Sequence, residues 1–134
     1  MHVTASEAET AGVGRALAGT LRPGMVVRVS GPLGAGKTAF VRGLAEGLGC
    51  DPADVSSPTF TIVQEYPGST RLQHVDLYRL SPAEVRDLAL DDLLDDAVMA
   101  VEWPDRWSDA PAESIDVVIE VVGEGTRRIL IGAE

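Results

Sequence analysis

The chain has 134 residues, of which 45% are hydrophobic and 24% charged, with a formal net charge of −10 and a pI near 4.5. That size suits one core, so a single domain spanning 1–134 is expected, and the acidic balance argues against binding nucleic acid or an anionic membrane directly. One cysteine, Cys50, excludes an internal disulfide and a multi-cysteine zinc site; with no signal-peptide core and no run near the roughly 18 apolar residues of a membrane span, a cytoplasmic protein is expected.

Along the chain, Ser6 and Glu9 have capping-box spacing, and Val13, Ala16, Leu17 and Leu21 mark one face of a first helix ending before Pro23-Gly24. Residues 25–29, rich in valine, read as a buried strand. It runs into Gly31-Pro32-Leu33-Gly34-Ala35-Gly36-Lys37-Thr38, a full match to the phosphate-loop pattern G-x-x-x-x-G-K-[ST]. Ten of the eleven basic side chains are arginine, and Lys37 is the only lysine. A planar guanidinium does not replace a compact ammonium between phosphates, so the choice of lysine here points to a triphosphate site. A helix is expected from Thr38 onward, with Phe40, Val41, Leu44, Ala45 and Leu48 at helical spacing and Gly49 at its left-handed end.

In this strand, loop and helix order, the loop amides and the helix N-terminus cradle phosphates, Lys37 reaches the terminal ones and the Thr38 hydroxyl ligates Mg²⁺. The candidate nucleotide-binding residues are therefore Gly31, Leu33, Gly34, Ala35, Gly36, Lys37, Thr38 and Ala39. A turn-rich segment holding Ser56-Ser57-Pro58-Thr59 follows, then strands over 60–66 and 71–78 joined at Pro67-Gly68-Ser69. Pro82 opens a helix predicted to run through residue 94, ahead of an apolar strand over 97–101, a Trp-Pro loop and a closing hairpin of 115–122 with 127–131. The pattern predicts an α/β fold of the P-loop NTPase type, with a mixed, mainly parallel sheet flanked by helices.

A triphosphate site needs carboxylates that reach the metal or its waters, delivered from strands beside the loop. Asp76 ends the run Leu72-Gln73-His74-Val75, and Glu102 ends Val98-Met99-Ala100-Val101. Both are candidate catalytic residues beside Lys37, one binding metal and the other a water. His74, one residue off the apolar phase, is expected to be exposed or hydrogen-bonded. Glu84, Asp87, Asp91, Asp92, Asp95 and Asp96 read as a solvated acidic face, and Trp103 and Trp107 as core packing or a lid beside Glu102. The spacing identifies neither Arg79 nor Arg106 as an arginine finger. The guanine-reading element of Ras-like GTPases carries a second lysine, which is absent here, so ATP is favoured over GTP.

The ordered set Ser6-Glu7 with Thr10, Leu33 to Thr38, Ser57-Pro58-Thr59-Phe60, His74-Val75-Asp76-Leu77-Tyr78-Arg79 and Val101-Glu102-Trp103-Pro104 resembles the bacterial TsaE (YjeE) family across nearly the whole chain. The resemblance implies an ATPase that works with TsaD and TsaB in placing threonylcarbamoyl on the adenosine beside a tRNA anticodon, with tRNA met only through that complex. It also implies that Thr38 and Glu102 hold Mg²⁺ with Asp76 in the same cluster, that Thr59 belongs to a nucleotide-sensing loop, and that Thr10 sits near the nucleotide. Two positions depart from the family pattern. Pro32 replaces an acid and removes one loop N–H, and Ala89 replaces a glycine, so that a longer helix rather than a tight turn is expected there. With no arginine finger evident, the isolated chain is expected to be a weak ATPase that a partner activates. The alternatives are a small-molecule kinase, for which no lid insertion is visible, and a non-hydrolysing nucleotide switch.

Overall fold

A computed structural model describes residues 1–56, 62–108, 110–111 and 114–132. Its centre is β2 (Val26–Ser30), with β5 (Ala97–Glu102) and β6 (Ile115–Gly123) on either side, both parallel to it. The sheet extends through β4 (Arg71–Asp76), parallel to β5, to β3 (Val63–Tyr66), and on the other side through β7 (Thr126–Ile131) to β1 (His2–Thr4). The order is β1-β7-β6-β2-β5-β4-β3, with antiparallel pairing at both margins. Among the described residues this is the mixed sheet predicted from the sequence, with its three parallel pairings at the centre, three antiparallel ones toward the margins, and β1 added to it. Three residues are too short for a periodicity signal, and pairing with β7 makes them a strand.

Alternation along the strands divides the apolar side chains between two cores. Val27, Val29, Val98, Ala100, Val117 and Ile119 share a core with α2 (Lys37–Gly47), against which α1 (Glu7–Ala18) packs. Val26, Met99, Val101 and Val75 form the other with Val85, Leu90 and Trp107. The two long helices touch through glycines. A Cβ at Gly43 would lie 1.8 Å from the Ala11 carbonyl oxygen, and one at Gly14 would lie 2.3 Å from that of Phe40. Gly49, after α2, has φ +83°, as its predicted role at a helix end requires. Ser6 caps α1 by accepting from Glu9 N, while the Glu9 carboxylate accepts from Ala5 N.

The helix predicted over 82–94 is divided. α3 (Pro82–Asp87) is opened by a capping box of Ser81 and Glu84, and a separate 3₁₀ turn spans Leu90–Leu93. Ala89 between them adopts φ 51° and ψ 53°, so the tight turn is present despite the alanine. Burial of Val85 and Leu90, at 1% and 2% exposure, holds both sides of the break in one core and overrides the residue's preference against left-handed backbone. The acids of this region, from Glu84 to Asp96, are solvent-exposed as expected.

Candidate active site

The parallel register determines the site. Asp76 pairs with Glu102 across β4 and β5, Glu102 pairs with Val29 of β2, and the phosphate loop leaves β2 just beyond Ser30. The loop and both acids therefore meet outside the carboxyl ends of adjacent parallel strands, where open α/β sheets place ligands. They line a cavity of about 500 Å³ with Leu33, Gly34, Gly36, Thr38, Ala39, Trp103 and others.

Gly34 and Gly36 have φ of 78° and 104°, backbone that a side chain would strain, and Gly36 directly precedes α2. Lys37, 6% exposed, donates from Nζ to the carbonyl oxygens of Gly31 (2.5 Å) and Pro32 (3.1 Å) and lies 4.5 Å from the centre of the Trp103 ring. Burial lowers the pKa of its ammonium, while Glu102 and Asp76 act to keep the proton on. Pro32, which lacks an N–H, contributes its carbonyl to Lys37 and to Ala35 N instead.

Asp76 and Glu102 are 7% and 3% exposed. Asp76 Oδ1 accepts from the backbone N of Tyr78 at 2.9 Å. Burial nevertheless raises the Asp76 pKa, and the neighbouring Glu102 adds to that rise, against the lowering effects of the Tyr78 amide, His74 and Lys37. A raised folded-state pKa contributes stability that is fully present below the unfolded carboxylate value, near 3.9, and is lost as pH rises through the folded value. In the nucleotide-free protein, Asp76→Asn is therefore expected to raise stability at pH 7 relative to wild type, with the gain vanishing as pH falls below about 4. Denaturant unfolding at a series of pH values checks this.

His74 is completely buried, and it is hydrogen-bonded rather than exposed. Its Nε2 lies 2.6 Å from Glu102 Oε2 and its Nδ1 lies 3.2 Å from the Tyr66 hydroxyl. The two tryptophans separate. Trp107, 5% exposed, belongs to the core, whereas Trp103, with φ 58°, packs against Tyr78 with ring centres 4.9 Å apart and planes tilted by 44°, and forms a wall of the cavity. Thr10 is buried behind the loop, its hydroxyl 2.8 Å from that of Thr4, and borders a smaller hollow of about 200 Å³ together with Ala35 and Gly36. Arg106 is directed to the Leu80 carbonyl at 2.9 Å. Thr59 lies outside the described residues.

A β-strand, a glycine loop with its lysine, a helix, and acids at the ends of neighbouring parallel strands define a fold of the P-loop NTPase type. The structure aligns with the crystal structure of YdiB from Bacillus subtilis at a TM-score of 0.79 and 33% identity, covering 99% of this chain and 84% of that one. The family model described as "Threonylcarbamoyl adenosine biosynthesis protein TsaE" matches residues 4–129. The chain belongs to this family. Its relatives include proteins named tRNA threonylcarbamoyladenosine biosynthesis protein TsaE from Bacillus subtilis, 40% identical with 97% of this chain and 83% of that one covered, and from a Nostoc species, 39% identical with 92% and 80% covered.

Proposed function

We propose that this protein binds and slowly hydrolyses MgATP and, with TsaD and TsaB, supports the formation of threonylcarbamoyladenosine next to the tRNA anticodon. The observation that carries this reading is the meeting of Lys37 with Asp76 and Glu102 in one cavity at the mouth of a glycine phosphate loop. The relatives' names supply the pathway. The acidic chain, with its net charge of −10, would meet tRNA through the complex rather than directly. Cytoplasmic location is part of the same reading.

Lys37 and the loop amides bind the β- and γ-phosphates and offset the charge that builds on them as the terminal bond breaks. Lys37 would exchange its present carbonyl partners for phosphate oxygens. Two buried carboxylates and the Thr38 hydroxyl are hard oxygen donors, a set that fits Mg²⁺. Thr38 and Glu102 would hold the ion, with Asp76 beside them, and the ion would supply positive charge to the phosphate oxygens. The buried His74 fixes the direction of the Glu102 carboxylate through its 2.6 Å contact. Trp103 and Tyr78 limit water on one side of the cavity. Arg42 lines the cavity with its Nη2 donating to the Val55 carbonyl at 3.4 Å, and Arg106 donates to the Leu80 carbonyl at 2.9 Å, so both are held by backbone carbonyls rather than presented as an arginine finger in the proposed ATPase.

Phosphate release from MgATP is therefore expected to be slow for the chain alone and to rise by about tenfold or more when TsaD and TsaB are added. A coupled phosphate assay with and without the pair tests this. A rate unchanged by the pair contradicts the partner-coupled reading.

A further inference from the structure

Arg127, the second residue of β7, sends each of its guanidinium nitrogens to backbone carbonyls. Nη1 binds locally, donating to Thr126 O at 3.0 Å and Gly123 O at 3.3 Å. Nε and Nη2 cross to the phosphate loop, donating to Ala35 O at 2.9 Å and Gly34 O at 3.4 Å. The side chain lines the smaller hollow behind the loop and is not part of the wall of the Lys37 cavity.

A trans peptide directs its C=O and N–H to opposite sides. With Ala35 O held on the guanidinium side, the N–H of Gly36 is turned to the other side, and Gly36 borders both hollows. The segment that carries this amide contains two glycines in left-handed backbone, Gly34 and Gly36. Such a segment loses much conformational freedom when it is ordered, so an external brace has a large effect on how well it is preorganised. A guanidinium supplies that brace because its rigid planar fork holds the Ala35 and Gly34 carbonyls in a fixed mutual geometry, which an ammonium on a flexible stem does not impose.

We propose that Arg127 is a positioning residue that holds the phosphate loop from behind, aiming its amides at polyphosphate, and so tightens binding without touching the nucleoside. The proposal rests on the reading of the loop as a triphosphate site. It assigns to Arg127 a contribution that is blind to the base, because its hydrogen bonds to the phosphate loop go to the Gly34 and Ala35 carbonyls.

The test is calorimetric titration of wild type, Arg127→Ala and Arg127→Lys with MgATP and, separately, with magnesium tripolyphosphate, which has no nucleoside. Arg127→Ala is expected to weaken both ligands by about tenfold and by the same factor, as loss of charge-assisted hydrogen bonds within a preorganised site implies. Arg127→Lys is expected to keep most of that defect. A loss confined to MgATP overturns the proposal in favour of direct contact with the nucleoside. Unchanged affinities, or full recovery by lysine, overturn it as well, and the lysine variant decides the matter if the alanine variant does not fold. Failure of wild type to bind either ligand removes the triphosphate reading itself and the proposal with it, an outcome distinct from any difference among the variants.

Discussion

The Lys37→Ala variant is expected to fold and to lose phosphate release from MgATP by at least about 100-fold, the scale on which removal of a charge-stabilising donor acts in other sites. The only lysine of the chain is buried to 6% exposure between the carbonyls of Gly31 and Pro32 and the Trp103 ring, in the same cavity as Asp76 and Glu102. Among the described residues Lys37 belongs to neither core cluster, and its burial already lowers its pKa, so the protein does not gain much stability from keeping a charge there. Lys37→Arg is expected to fail as well, because a planar fork does not fit where a point charge must lie among phosphate oxygens. Nucleotide titration and a phosphate assay on the two variants, with circular dichroism as the check on folding, measure this. A variant that is folded and fully active would show that Lys37 plays no part.

Gly43→Ala is expected to cost about 3 kcal/mol, although alanine is the better helix former by about 1 kcal/mol. The new methyl would lie 1.8 Å from Ala11 O and 2.5 Å from Ala11 C, both backbone atoms of α1, so the two helices must separate. That separation opens the core shared by Phe40, Val41 and Leu44 of α2, and moves the helix whose N-terminus carries Lys37 and Thr38. Gly12 gives the contrast within the same helix pair. A Cβ there meets nothing within 4 Å, so Gly12→Ala is expected to stabilise the protein by about 0.5–1 kcal/mol. Urea unfolding of both variants compares them directly. Equal, favourable effects would contradict the close approach of α1 and α2.

Much of this architecture was readable from the chain because several local signals agreed. The valine run of β2, the glycine pattern and the helical spacing after Thr38 each demand the order that the structure has, and Asp76 and Glu102 were found because each ends an apolar run. Their pairing across β4 and β5 was not visible, since strand order is set by tertiary packing. The break at Ala89 was missed because alanine favours helix, whereas burial of Val85 and Leu90 decides the backbone there. His74 sits off the apolar phase, and only the positions of Tyr66 and Glu102 show why a buried imidazole is satisfied. Arg127 gave no local signal, being an arginine on a marginal hairpin whose partners in the phosphate loop lie 92 and 93 positions away. The glycines of the α1–α2 contact were legible in principle, because Gly43 and Gly47 stand one turn apart on a helix that otherwise has little use for them.

The most direct test of the central claim is product analysis after the purified chain is incubated with γ-³²P-labelled MgATP, with no other protein and no added acceptor. Slow appearance of free labelled phosphate, dependent on Mg²⁺ and absent in Lys37→Ala, is the predicted result. Label transferred to a small-molecule acceptor supplied in a second reaction, or ATP that is bound and recovered unchanged even with TsaD and TsaB present, would contradict the assignment of this cavity to ATP hydrolysis.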